Sequence, residues 1–162
     1  MICLNVGSHD IKLADFINID NDPLMKPDLL WNATKLREKF KDETVDFIYC
    51  GHFLEHFTIN EVSNLIKDFY CLLKPYSCIV AVIPDFTKIN ISNIEESERI
   101  IMGAGEHKII FNEERLVSIF SKENFTVIPV PVKCLPWCRF PEVTWQTAIL
   151  AMKHPKINFK TG

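Results

Sequence analysis

Val45 to Phe57 reads V-D-F-I-Y-C-G-H-F-L-E-H-F. Val45 to Cys50 has the apolar, β-branched and aromatic character of a buried strand. Thr58 follows at once, with Glu61 three residues later, a capping-box signature for the start of a helix. A strand feeding a helix makes Gly51 and His52 strand-end residues and points to an α/β sheet. A competing pattern lies in the same letters, because His52-x-x-Glu55-His56 matches the H-x-x-E-H signature of inverted zinc peptidases. That chemistry needs both histidines on one formed helix and a further acidic ligand from a later one. His52 stands two residues past a strand and ahead of the capping box, so both histidines are expected in a turn. No metal is expected, and Glu55 and His56 are expected to tie that turn together by hydrogen bonds.

Outward from this stretch, apolar runs alternate with amphipathic ones. Val62, Leu65, Ile66, Phe69, Leu72 and Leu73 fall on one helical stripe, and Pro75 ends it. Cys78 to Ile83 is a continuous apolar strand suited to the centre of a parallel sheet, closed by Pro84-Asp85. Upstream, Ile2–Val6, Phe16–Ile19 and, more weakly, Asp28–Trp31 read as strands. Downstream, a helix is expected over Ile91–Met102, broken by Gly103-Ala104-Gly105. A second follows, capped by Asn112 with Leu116, Val117 and Phe120 on its apolar face. Phe125–Val132 and Gln146–Lys153 are closing strands, separated by the Pro- and Trp-rich excursion K-C-L-P-W-C-R-F-P-E-V-T-W. Residues 1–162 are expected to form a single domain.

Composition narrows the function classes. The chain has 162 residues, 48% of them hydrophobic and 24% charged, with a net charge of −3. Such a balance gives no electrostatic track for nucleic acid. The six cysteines include no C-x-x-C pair, and four lie inside apolar runs where cysteine packs as a small hydrophobe. No charged-then-apolar leader and no membrane-length apolar stretch are seen, so a cytoplasmic location with reduced thiols is expected.

In an open parallel sheet, ligands bind outside the carboxyl ends of the strands. The strand-end residues are Gly7-Ser8-His9, Asp20, Asn32, Gly51-His52 and Asp85. A glycine turn after the first strand and an acid ending the second is an arrangement that holds a nucleoside, with backbone N–H groups lining the ligand and the carboxylate on the ribose hydroxyls.

L-N-V-G-S…F-I-N-I-D, V-D-F-I-Y-C-G-H-F-L-E-H-F, L-L-K-P and A-V-I-P-D, in that order, resemble the class I methyltransferases that use S-adenosylmethionine. The likeness is to a small group whose first strand opens the chain and whose L-E-H follows strand four; G-E-H-K-I-I-F-N-E-E-R-L…E-N-F-T-V is similar to that group's later segment. The resemblance runs from about residue 2 to residue 153. It implies a Rossmann-like seven-stranded sheet, mostly parallel with an antiparallel last strand and helices on both faces. It assigns Gly7 and Ser8 to the methionine end of the cofactor, Asp20 to the ribose, Asn32 and Ala33 to the adenine, and Gly51-His52 to the neighbourhood of the amino group and methyl.

Three departures accompany the likeness. The glycine turn, usually G-x-G, is Gly7-Ser8-His9, and a Cβ at the third position intrudes or demands a left-handed backbone. The gap from Gly7 to Asp20 is too short for a full crossover helix. L-L-K-P-G-G has become Leu72-Leu73-Lys74-Pro75-Tyr76-Ser77. The expected function is S-adenosylmethionine-dependent methyl transfer, with His52, His107 or Asp85 as the base. The methyl acceptor, a small molecule or a side chain, is left open; no helix is read before the first strand, so part of the usual cover over the cofactor is expected to be missing or to come from a second copy in a homodimer. The alternative is a degenerate domain that keeps the fold as a binding or scaffold protein. A dehydrogenase is disfavoured because G-x-G-x-x-G is absent.

Overall fold

The computed structural model describes residues 1–89, 92, 94–138 and 140–155. Its strands are β1 (Cys3–Val6), β2 (Ile17–Asp20), β3 (Leu29–Leu30), β4 (Val45–Gly51), β5 (Leu73–Pro84), β6 (Phe125–Val130) and β7 (Gln146–Lys153). Its α-helices are α1 (Ile59–Leu72), α2 (Ile94–Met102) and α3 (Glu113–Lys122). The expected start of α2 at Ile91 lies outside the described residues.

The strands form one sheet in the order β3-β2-β1-β4-β5-β7-β6. β1 to β5 run parallel, and β7 is antiparallel to both β5 and β6. The order reverses at β1/β4, so the ends of these two strands form the crevice of a doubly wound sheet.

α1 begins as its sequence dictates. Thr58 stays extended, the Thr58 N–H donates to Glu61 Oε2 at 2.8 Å, and the Glu61 N–H donates to the Thr58 hydroxyl at 3.5 Å. Its Val62, Leu65, Ile66 and Phe69 pack with Leu4, Ile48, Ile79 and Ile149 of the sheet, and α3 adds Leu116, Ile119 and Phe120. Each fully buried side chain of this size stabilises by roughly 1.5–3 kcal/mol relative to exposure. α1 ends at Leu72 and passes directly into β5, five residues earlier than the apolar run at Cys78 suggests. The extra residues are accommodated by a register shift between Val45 and Phe47, with Tyr76 left-handed at φ 66°.

The opposite face is covered differently. Tyr49, Val80, Val82 and Ala148 pack against Leu13 and Phe16 of the β1–β2 connection and against Leu135, Trp137 and Cys138 of the excursion. Among the described residues, the helical structure in that packing is the single 3-10 turn Val132–Cys134. The β1–β2 connection is too short for a full crossover helix, and two buried asparagines hold it instead. Asn5 Nδ2 donates to the Ile11 carbonyl and to Asn18 Oδ1, both at 2.9 Å. Asn18 Oδ1 also accepts the Leu13 N–H at 2.9 Å, while Asn18 Nδ2 donates to Asp28 Oδ2 at 2.6 Å. Buried amides with their donors and acceptors met by the loop fix its path as a helix would. Trp137, with Phe16, Phe47 and Tyr49, is core on this face rather than a pocket wall.

Candidate active site

Two cavities open along the carboxyl edge, on either side of β2. The first, about 270 Å³, lies at the ends of β1 and β4, between Gly7-Ser8-His9 and Gly51-His52, with His56, Glu106 and Phe140 completing its wall. The second, about 280 Å³, lies past β3 against Leu30, Trp31 and Asn32. Asp20 ends β2, the strand between them. A larger open groove of about 610 Å³ runs between the β6–β7 end and the excursion, lined by Lys88, Glu113, Pro131 and Thr144 among others. Size favours the groove, but the strand-end residues converge on the two smaller cavities, and these are the candidate site.

Gly7 is left-handed at φ 69°, and a Cβ there would overlap the Phe53 ring. The N–H groups of Gly7 and Ser8 both donate to the Ile19 carbonyl at 2.9 Å. His9 adopts φ 46°, the left-handed backbone that its Cβ disfavours, and its N–H donates to Asp20 Oδ2 at 2.7 Å. The expected cradle of N–H groups facing a ligand is therefore closed onto β2. The His9 ring lies outward and pairs with Asp10 at 2.9 Å. Ser8 is among the residues lining the cavity, and its buried hydroxyl has no hydrogen-bond partner among the described residues.

Asp20 binds its own chain twice: Oδ1 accepts the Asp22 N–H at 3.0 Å, while Oδ2 holds His9. Each carboxylate oxygen retains a lone pair, so two ribose hydroxyls remain within its capacity. Asn32 Oδ1 accepts both the N–H and the hydroxyl of Thr34, at 2.9 Å each, capping a 3-10 turn while lining the second cavity. Ala33 is buried in the core beneath it. Trp31 forms the aromatic wall there, with Lys39 Nζ 3.9 Å over its ring.

At β4, His52 is left-handed at φ 52° and its N–H donates to the Val82 carbonyl at 2.8 Å. His52 Nε2 lies 2.9 Å from Gln146 Oε1, and Gln146 Nε2 donates to the Phe140 carbonyl. A carbonyl can only accept, so Gln146 offers its oxygen to His52, and Nε2 of His52 carries the hydrogen. His52 Nδ1 is 3.5 Å from Glu55 Oε1. Trp145 and Phe140 stand edge-on to the imidazole at 5.7 and 6.1 Å.

Leu54–His56 form a 3-10 turn that sends Glu55 inward to 1% exposure. The expectation that the Glu55 side chain ties the turn is overturned. Among the described residues, neither of its carboxylate oxygens has a hydrogen bond, and the tie runs through its backbone carbonyl, which accepts the Lys108 N–H at 2.8 Å. Burial, and then the Glu55 charge, push the Cys50 thiol well up. His107 does not line the first cavity; it stands behind Glu55, its Nδ1 3.0 Å from the Ile101 carbonyl. Asp85 also lies away from that cavity. Its Oδ1 accepts the N–H and hydroxyl of Thr87, at 3.0 and 2.6 Å, while Oδ2 faces Lys88 Nζ at 3.5 Å. Sequence reasoning missed Glu106 and Phe140, which nothing in their local pattern marks. Gln146, a polar residue opening an apolar strand, was a readable signal.

The sheet order is that of the class I methyltransferase fold. A model of the methyltransferase domain family matches residues 14–81, from just before β2 into β5 and less than half of the chain. The partial family match and the fold point the same way, and what they establish is a class I methyltransferase-like fold. An S-adenosylmethionine-dependent methyltransferase from Archaeoglobus fulgidus superposes with a TM-score of 0.73 at 18% identity, over 93% of this chain and 85% of that one. One from Methanosarcina mazei gives 0.63 at 18% identity, over 94% and 92%. A possible exported protein from Bordetella parapertussis gives 0.67 at 12% identity, with 95% of this chain spanning 62% of that one. No curated protein sequence matches the chain. Among the described residues, no helix is long and apolar enough to cross a membrane.

Proposed function

We propose that this domain binds S-adenosylmethionine along the edge from β3 to β4 and directs its methyl group to an acceptor at His52. The observation that carries this reading is Asp20, a carboxylate with spare acceptor capacity on the strand between two cavities of one sheet edge. The Ser8 hydroxyl, buried without a partner at the first cavity, fits a polar ligand at the methionine end. Trp31, Leu30 and Asn32 offer an apolar surface with a polar edge, which suits a purine.

Bound there, the cofactor would supply an activated sulfonium methyl. The remaining work falls to the chain: holding the acceptor in line, excluding water and removing a proton. His52 is the candidate base because it lines the first cavity and has its tautomer set by Gln146. His56 and Glu106 share that wall. His107 and Asp85 stand outside it, which weighs against direct proton transfer by either. The acceptor would approach through the aromatic rim of Phe140 and Trp145 beside His52, the end nearer the large groove. A homodimer would add cover to the helix-poor face.

A second reading, a methyltransferase-fold domain that serves as a binding or scaffold protein, is favoured by one observation. The N–H groups of Gly7, Ser8 and His9 all bond to β2 residues and offer nothing to a carboxylate ligand. Isothermal titration with S-adenosylmethionine and S-adenosylhomocysteine separates the two. Saturable micromolar binding supports the enzyme reading; no heat and no thermal shift at millimolar ligand would leave the scaffold reading.

A further inference from the structure

We infer that Glu55, His56 and His107 form a binding site for one divalent transition-metal ion of the zinc class. Each of these residues offers a ligand atom, and the three atoms lie within 4.8 Å of one another. Glu55 is 1% exposed, and neither carboxylate oxygen receives a hydrogen bond from the described residues. A buried carboxylate without donors is costly unless a cation compensates it.

The histidine tautomers sharpen the point. His107 Nδ1 faces the Ile101 carbonyl at 3.0 Å and must donate to it. The neutral ring then turns a lone pair at Nε2 toward Glu55 Oε1, 4.0 Å away. His52 is set in the same sense, since Nε2 donates to Gln146 and Nδ1 lies 3.5 Å from that same Oε1. Acceptors thus converge on an acceptor. A metal ion between them changes repulsion into ligation, and a histidine that gives its other N–H to a backbone carbonyl is the usual posture of a ligand. The His56 ring stands edge-on to His107 with centroids 5.0 Å apart.

Two imidazoles and one carboxylate suit Zn²⁺, Co²⁺ or Fe²⁺ better than Mg²⁺, which prefers all-oxygen shells. Closing to ligand distances of about 2.0–2.2 Å needs small ring movements. This is not the peptidase arrangement: His56 and Glu55 come from a turn, and the remaining ligand comes from beyond α2. Three protein ligands leave a coordination position open, and His56 also lines the first cavity. On the methyl-transfer reading, an acceptor hydroxyl reaching the ion would lose its proton more readily. The metal site itself does not depend on that reading.

The test is titration of the chelator-stripped, full-length protein with Co²⁺, read by visible d–d absorption and by the shift in Tm, with metal analysis of the protein as purified. One equivalent should bind and raise Tm. Glu55→Gln, His56→Ala and His107→Ala should each weaken binding at least tenfold, and His154→Ala should not. The inference is overturned if folded wild-type protein gives no d–d band, or if the three variants bind as wild type does. Should Glu55→Gln fail to fold, the two histidine variants decide alone. S-adenosylhomocysteine titration of the same preparation reports the cofactor reading separately.

Discussion

Asp20 Oδ2 accepts the His9 N–H at 2.7 Å, so the acid that ends β2 also holds the turn that ends β1. On the proposed reading, cofactor affinity and turn stability are linked in this one side chain. Asp20→Ala should weaken S-adenosylhomocysteine binding by about tenfold to a hundredfold, from loss of charge-assisted hydrogen bonds of about 1.5–3 kcal/mol. It should also lower Tm without ligand, because the His9 and Asp22 N–H groups lose their acceptor. Asp20→Asn keeps one acceptor oxygen and should keep more stability than affinity. Calorimetric titration and thermal melts of both variants check this, and equal losses on both measures would contradict it.

His9 occupies a left-handed backbone position at φ 46° with its ring outside the turn. Such a conformation costs a non-glycine residue about 1–2 kcal/mol. His9→Gly should therefore stabilise the fold by up to about 1 kcal/mol, the greater freedom of glycine in the unfolded chain offsetting part of the gain. Cofactor affinity should be unchanged or higher. Urea unfolding measures the first expectation, and a loss of stability would show that the His9–Asp10 pair matters more than the strain.

How far the sequence disclosed this architecture depended on which interaction decided each element. The buried strands β1, β4 and β5, and helix α1, were visible because apolar period and capping chemistry act locally. Where β5 begins was not, because Leu73–Ser77 join the sheet through a pairing shift and Tyr76 takes a left-handed position where the resembling group has glycine. Asn5 and Asn18 are polar residues inside strands, and only the fold shows that their side chains hold the connection where a crossover helix would stand. At the site, Asp20, Gly51 and His52 were legible as strand ends. The depth of Glu55 was not, since the turn Leu54–His56 sets it, and its approach to His107 depends on contacts across 52 positions of chain.

Asp28 anchors the β1–β2 connection by accepting from the Asn18 N–H at 2.9 Å and from its side-chain amide at 2.6 Å. These bonds, the backbone one first, hold its carboxyl below the ordinary value of 3.8. With the folded value depressed, the stabilisation is complete above the unfolded value and is lost as pH falls through the folded one. Stability should thus decline on acidification below roughly pH 4 partly through this group. Asp28→Ala should flatten that part of the curve, measured as urea midpoints of both proteins across the acid range. Parallel curves would assign the acid sensitivity to other carboxylates.

Gly7 and Phe53 occupy one space: a Cβ on Gly7 would enter the Phe53 ring, which itself packs edge-on against Phe57 at 4.8 Å. Gly7→Ala should carry two costs, a steric one from the ring and about 1–2 kcal/mol for a side chain at φ 69°. Phe53→Ala should remove the first cost and leave the second. In a double-mutant cycle the two substitutions should therefore be less damaging together than the sum of the singles, with a coupling of about 0.5–3 kcal/mol. Denaturant unfolding of the four proteins measures it. Additive losses would mean that the glycine is required by its backbone conformation alone, and that the ring could yield without penalty.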